Sequence, residues 1–146
     1  MKLVLQRSKQ ASVKVDNATV GEFDFGVVIL VGIGPNDGEE ELKWLAEKVV
    51  HLRIFEDQDG KMNRSLLDVG GEILLISQFT LYGDCRKGRR PSFAKAGHPS
   101  MAEPLFEQFA LMLVELGVSK LAKGVFGADM EVALINDGPV TLVIEK

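Results

Sequence analysis

Apolar residues run without a break from Ile73 to Ile76, and polar ones follow at once in Ser77, Gln78 and Thr80, with Phe79 among them. The continuous run reads as a strand buried on both faces. A buried strand that ends in small polar side chains commonly delivers them to a cleft. A second continuous apolar strand is expected over residues 26–33, around Val27-Val28-Ile29-Leu30-Val31. Residues 1–6 alternate apolar and polar, which predicts a strand with Arg7 and Ser8 at its end. Short strands are expected at 11–15 and 19–23, joined by a turn at Asp16-Asn17-Ala18. Two alternating strands, 131–135 and 140–145, flank Asn136-Asp137-Gly138-Pro139. Residues 54–55 and 120–126 also read as extended.

Two segments carry helical spacing. In the first, Leu42, Leu45, Ala46, Val49 and Leu52 share a face, and Asp37 with Glu40 resembles a capping box. In the second, Ser100 and Glu103 form the box and Pro104 falls within the first turn. Leu105, Phe109, Met112, Leu113 and Leu116 make the stripe, and Gly117 ends the helix. Widely separated helices and directly consecutive strands predict one α/β (α+β) domain over residues 1–146. Its sheet is expected to be mixed, largely antiparallel and curled or barrel-like.

Composition narrows the chemistry. The chain has 146 residues and a net charge of −4, so its overall field does not favour nucleic acid. No apolar run approaches the ~20 residues that cross a bilayer, so no membrane partner is expected. One cysteine, Cys85, rules out an internal disulfide framework and fits a reducing cytosol. Only His51 and His98 are present, which leaves few bases for a hydroxyl or thiol nucleophile. Asp57-Gln58-Asp59-Gly60 reads as a surface turn, because the remaining ligands of a calcium loop do not follow. No metal and no cofactor are expected.

Three segments stand out chemically. Ser77 and Thr80 are hydroxyl candidates at a strand end, although no base follows them and no Gly-x-Ser-x-Gly elbow is present. Such a site would work by positioning and by backbone N–H groups aimed at an oxyanion. The loop 84–95 holds Arg86, Lys87, Arg89, Arg90 and Lys95 against one Asp84, a local net of +4 that suits phosphate. Gly138-Pro139 reads as a turn and a candidate cis peptide.

Ser77-Gln78-Phe79-Thr80-Leu81 and Gly138-Pro139-Val140-Thr141 resemble the two signature motifs of the D-aminoacyl-tRNA deacylase family, also called D-tyrosyl-tRNA deacylases. The likeness spans the chain, from the Met-Lys-x-Val-Leu-Gln-Arg opening to 124–130. It implies a cytoplasmic homodimer that hydrolyses the ester joining a D-amino acid, or mischarged glycine, to the 3′-terminal adenosine of tRNA, sparing L-aminoacyl-tRNA. By the same resemblance, Ser77, Gln78, Phe79 and Thr80 form the catalytic segment, with the Phe79 N–H facing the oxyanion. The 2′-hydroxyl of the terminal ribose then assists, which removes the need for a protein base. Gly138, Pro139, Val140 and Thr141, held by Arg7, are expected to select chirality across the dimer, with the Gly138–Pro139 bond cis. Phe126 and Met130 match adenosine contacts, while Arg86, Lys87, Arg89 and Arg90 are the candidates for tRNA phosphates. DNA is not an expected partner. Two rivals remain: a non-catalytic RNA-binding module using residues 86–90, and a Ser or Thr hydrolase of small esters.

Overall fold

A computed structural model describes residues 1–146, and the uninterrupted apolar run does form its central strand. In chain order the elements are β1 (Lys2–Val15), β2 (Ala18–Phe23), β3 (Gly26–Gly32), α1 (Glu39–His51), β4 (Phe55–Glu56), β5 (Met62–Arg64), β6 (Glu72–Ser77), α2 (Pro99–Glu115), β7 (Leu121–Lys123) and β8 (Glu131–Glu145). The protein is a mixed α+β domain with two helices.

β6 lies between β3 and β7 and runs parallel to both. From Ile73 to Ile76 its side chains alternate between two cores, which explains why none of these four is polar. Ile73 and Leu75 point to the larger core with α1 and α2, whereas Leu74 and Ile76 point to a smaller one with Val28 and Phe23. All four are buried. Each such side chain contributes about 1.5–3 kcal/mol by leaving water.

β1 is one 14-residue strand, not two short ones. Its first half pairs with β3 and its second half with β2 along one edge, while β8 follows the whole length of the other. The sheet curls so far that β2 meets β7: a Cβ placed on Gly21 would stand 3.2 Å from Ala122 Cβ. The turn between β1 and β2 is where the sequence puts it, with Asp16 and Asn17 both at positive φ.

Several expectations are corrected. Residues 131–135 and 140–145 are not a hairpin; both belong to β8 and pair with β1. Ser8 pairs with Asn136 and Gln6 with Thr141, so Asp137 to Val140 bulge opposite the single Arg7. The strand expected at 120–126 shortens to β7. The caps shift as well. Gly38 caps α1, with its N–H donating to Glu41 Oε2 at 2.9 Å, and Asp37 is used elsewhere. His98, not Ser100, caps α2: its Nδ1 accepts from the Ser100 N–H, the task a Ser or Asp side chain usually performs. The buried stripe of α2 is Ala102, Phe106, Phe109, Ala110 and Leu113, one residue out of phase with part of the expected set.

Candidate active site

The ladder between β3 and β6 ends with Val31 opposite Ser77. Beyond it the chain tightens into a 3₁₀ turn, Phe79–Tyr82. Gln78 is tied back by its N–H, which donates to Val31 O at 2.7 Å. Phe79 opens the turn, so its N–H has no acceptor inside it, as at any helical N-terminus. The turn packs tightly against the end of β3, where a Cβ on Gly32 would stand 3.0 Å from Leu81 Cβ.

Asp37 anchors the far side of this turn. Its Oδ1 accepts from the Met1 amino group at 2.7 Å. Its Oδ2 accepts from the Gly34 N–H at 2.6 Å and from the Tyr82 hydroxyl at 3.3 Å. Burial, and then the Asp37 charge, push the Tyr82 hydroxyl well above the ordinary phenol value of 10.0.

Ser77, Gln78 and Phe79 line a cleft of about 610 Å³ that also includes Phe126 and Met130. Two separately predicted groups of residues therefore meet at one site. Phe126 is held by Phe106, with ring centroids 6.0 Å apart. Thr80 lies just outside this lining and is exposed; the Gln78 side-chain amide donates to its hydroxyl. No ionisable partner contacts Thr80, so nothing in reach would draw off its proton.

Gly138, Pro139 and Arg7 do not join them. Arg7 pairs with Val27, four rungs of β3 away from Val31, the partner of Ser77. At the usual strand rise that is roughly 13 Å. Arg7 is 5% exposed, and it organises the bulge. Its Nε donates to the Asp137 carbonyl at 3.1 Å and faces the Asp137 carboxylate at 3.2 Å, while Nη1 donates to Ile54 O at 2.6 Å. The Gly138–Pro139 peptide is cis, and both residues are exposed. Gly138 has φ +118, and a Cβ there would come 2.9 Å from Val140 Cγ2 and 3.1 Å from Arg7 Nη2. Thr141 resumes the ladder opposite Gln6.

The basic loop is a pinned hairpin. Asp84 and Ser92 exchange backbone hydrogen bonds at 2.8 and 3.0 Å. Arg86 folds back on Asp84, and its guanidinium and N–H hold that carboxyl down at about 2. Lys87, Arg89 and Arg90 are exposed and form no ion pair. The four phosphate candidates thus differ, with Arg86 already neutralised.

Two cleft residues are not apparent from sequence patterning. Phe93 and His98 both line it. A lone aromatic within a Gly/Pro/Arg loop is the available signal for Phe93. His98 gives none, because its Nδ1 is taken by Ser100, whose hydroxyl lies 2.8 Å away. The Asp57 carboxylate is consumed by its own turn, accepting from the Asp59 and Lys61 N–H groups and from the Asn63 amide.

The family model described as D-Tyr-tRNA(Tyr) deacylase matches residues 4–145. The D-aminoacyl-tRNA deacylase of Halalkalibacterium halodurans is 61% identical over 146 residues, covering 100% of this chain and 99% of that protein. That of Thermus aquaticus is 59% identical, with 100% and 95% covered. A solved structure described as c-Myc DNA Unwinding Element Binding Protein superposes with a TM-score of 0.94 at 38% identity, covering 100% of this chain and 99% of that one. A probable eukaryotic D-amino acid tRNA deacylase superposes with a TM-score of 0.85 at 20% identity over 98% and 97%, a likeness of fold.

Proposed function

The chain belongs to the D-Tyr-tRNA(Tyr) deacylase family, and we propose that it hydrolyses the ester between a D-amino acid, or mischarged glycine, and the 3′-terminal adenosine of tRNA, sparing L-aminoacyl-tRNA. The observation that carries this reading is the convergence of Ser77, Gln78 and Phe79 with Phe126 and Met130 on one cleft. The first group takes the aminoacyl ester and the second the adenine. Water adds to the ester carbonyl, and the oxyanion forms in front of the Phe79 N–H. The 2′-hydroxyl of the terminal ribose assists the proton transfer. This agrees with a cleft whose one histidine has Nδ1 engaged with Ser100.

The chiral filter comes from a second copy. Gly138 and Pro139 lie away from their own chain's cleft, exposed on a bulge stiffened by Arg7. β8 pairs with β1 alone and exposes Ile135 and Val143, a surface suited to a partner. In the homodimer, Gly138-Pro139 with Val140 and Thr141 enters the facing cleft. Its carbonyls meet the substrate amino group and leave no room for an L side chain. Lys87, Arg89 and Arg90 take phosphates of the tRNA. The reading places the protein in the cytoplasm, with residues 1–146 as one deacylase domain.

The test is deacylation of D-Tyr-tRNA beside L-Tyr-tRNA by purified protein without added metal. Rapid loss of the D ester alone supports the proposal. Loss of both overturns the filter. Binding of tRNA with neither ester cleaved leaves the RNA-binding module.

A further inference from the structure

Phe93 is 38% exposed although its ring is well held. It follows directly on the Asp84–Ser92 pair that closes the basic hairpin. Gly83 gives it room, for a Cβ there would stand 3.1 Å from the ring. Its own carbonyl accepts from the Ala96 N–H at 3.0 Å. Phe93 meets Phe79 edge to face, with centroids 5.2 Å apart and planes at 73°. Such a contact uses the edge of one ring and one face of the other, so whichever part Phe93 plays, it leaves at least one face of that ring free.

Phe93 is thus an oriented, solvent-facing aromatic where two features meet. On one side is the cleft it shares with Ser77 and Phe126. On the other are Lys87, Arg89 and Arg90, exposed and without ion pairs. A positive track beside an aromatic platform is the arrangement that holds single-stranded nucleic acid: charges take the backbone and the ring takes a base. A base needs only a π-face, so the platform reads no sequence.

We infer that Phe93 is a stacking platform for the unpaired nucleobase immediately preceding the terminal adenosine, as the RNA strand crosses from the cleft to the basic hairpin. This rests on the proposed function for the identity of the strand. It adds a subsite that the ester chemistry does not need, and a role for the one aromatic in the loop. The platform acts on binding of the RNA, and the cleft acts on the ester.

The experiment compares two substrates and one fluorescence signal. For Phe93→Leu, kcat/KM on D-aminoacyl-tRNA relative to that on 3′-O-D-aminoacyl-adenosine falls about tenfold, within the range of base–aromatic stacking. Phe93→Trp restores the ratio. Uncharged tRNA carrying 2-aminopurine at the nucleotide before the terminal adenosine is quenched on binding to the unaltered protein and not to Phe93→Leu. An unchanged ratio, or equal loss on both substrates, overturns the inference and makes Phe93 a packing partner of Phe79. Unquenched 2-aminopurine overturns it too, and weaker self-association of Phe93→Leu would then assign the ring to a protein contact. Failure of the unaltered protein to cleave either ester defeats the proposed function instead, and the 2-aminopurine signal still decides the stacking.

Discussion

Arg7 and Ser77 pair near opposite ends of one strand, Arg7 with Val27 and Ser77 with Val31 of β3. The bulge that Arg7 holds lies four rungs of β3 from the rung of Ser77, roughly 13 Å away. The proposed filter therefore predicts complementation. Gly138→Ala strains a residue at φ +118 and displaces its peptide, so activity should fall about 10²-fold. Ser77→Phe should block the cleft. Mixing the two variants by co-refolding should return about a quarter of normal activity, because one site in four is intact among random dimers. Circular dichroism verifies that each variant folds. No recovery from a mixture shown to contain heterodimers would defeat the trans arrangement.

Thr80 is the obvious nucleophile by residue type, but its surroundings argue against that role. Its hydroxyl accepts from the Gln78 amide, which cannot take a proton in return. Thr80→Ala should therefore retain activity within about tenfold. Loss of a true nucleophile costs on the order of 10⁴ or more. Single-turnover deacylation of D-Tyr-tRNA measures this, and an inactive but folded variant would favour covalent catalysis.

The basic hairpin should show its inequality in salt dependence. Each phosphate contact adds about one to the slope of log K against log salt. Replacing Arg89 and Arg90 by Ala should lower that slope by about two. Replacing Arg86 should change it by less than half a unit, because its guanidinium already faces Asp84. Filter binding of uncharged tRNA between about 50 and 200 mM salt supplies the numbers. Equal slopes for all variants would remove this loop from the interface.

What could be read from the residues alone follows physical lines. β6 was legible because burial on both faces leaves a continuous apolar signature, and its polar end marked the cleft. β8 was not, because Asn136-Asp137-Gly138-Pro139 carries strong turn chemistry that pairing along the whole of β1 overrides. The cap of α2 was hidden by Ser100 and Glu103, which mimic a capping box while His98 does the work. The motif residues were identifiable locally. Their separation was not, since it depends on register between strands remote in sequence.

Tyr82 offers a readout of the anchor behind the site, since it is the chain's single tyrosine. Burial first, and then the Asp37 charge, favour its neutral phenol. Above pH 10.0, where the phenol of the unfolded chain loses its proton, the folded protein keeps one more proton. Stability contributed by Tyr82 is thus complete below pH 10.0 and is lost as pH rises toward the raised folded value. Absorbance at 295 nm should show little phenolate at pH 10 in the native protein. In denaturant the same residue should be half ionised there. The native signal should emerge only at higher pH, together with loss of circular dichroism. Asp37→Asn should bring the onset down without restoring the ordinary value, because burial is the larger cause. Half-ionisation at pH 10 with an intact circular dichroism spectrum would mean that Tyr82 is not held, and that Asp37 does not anchor the turn carrying Phe79.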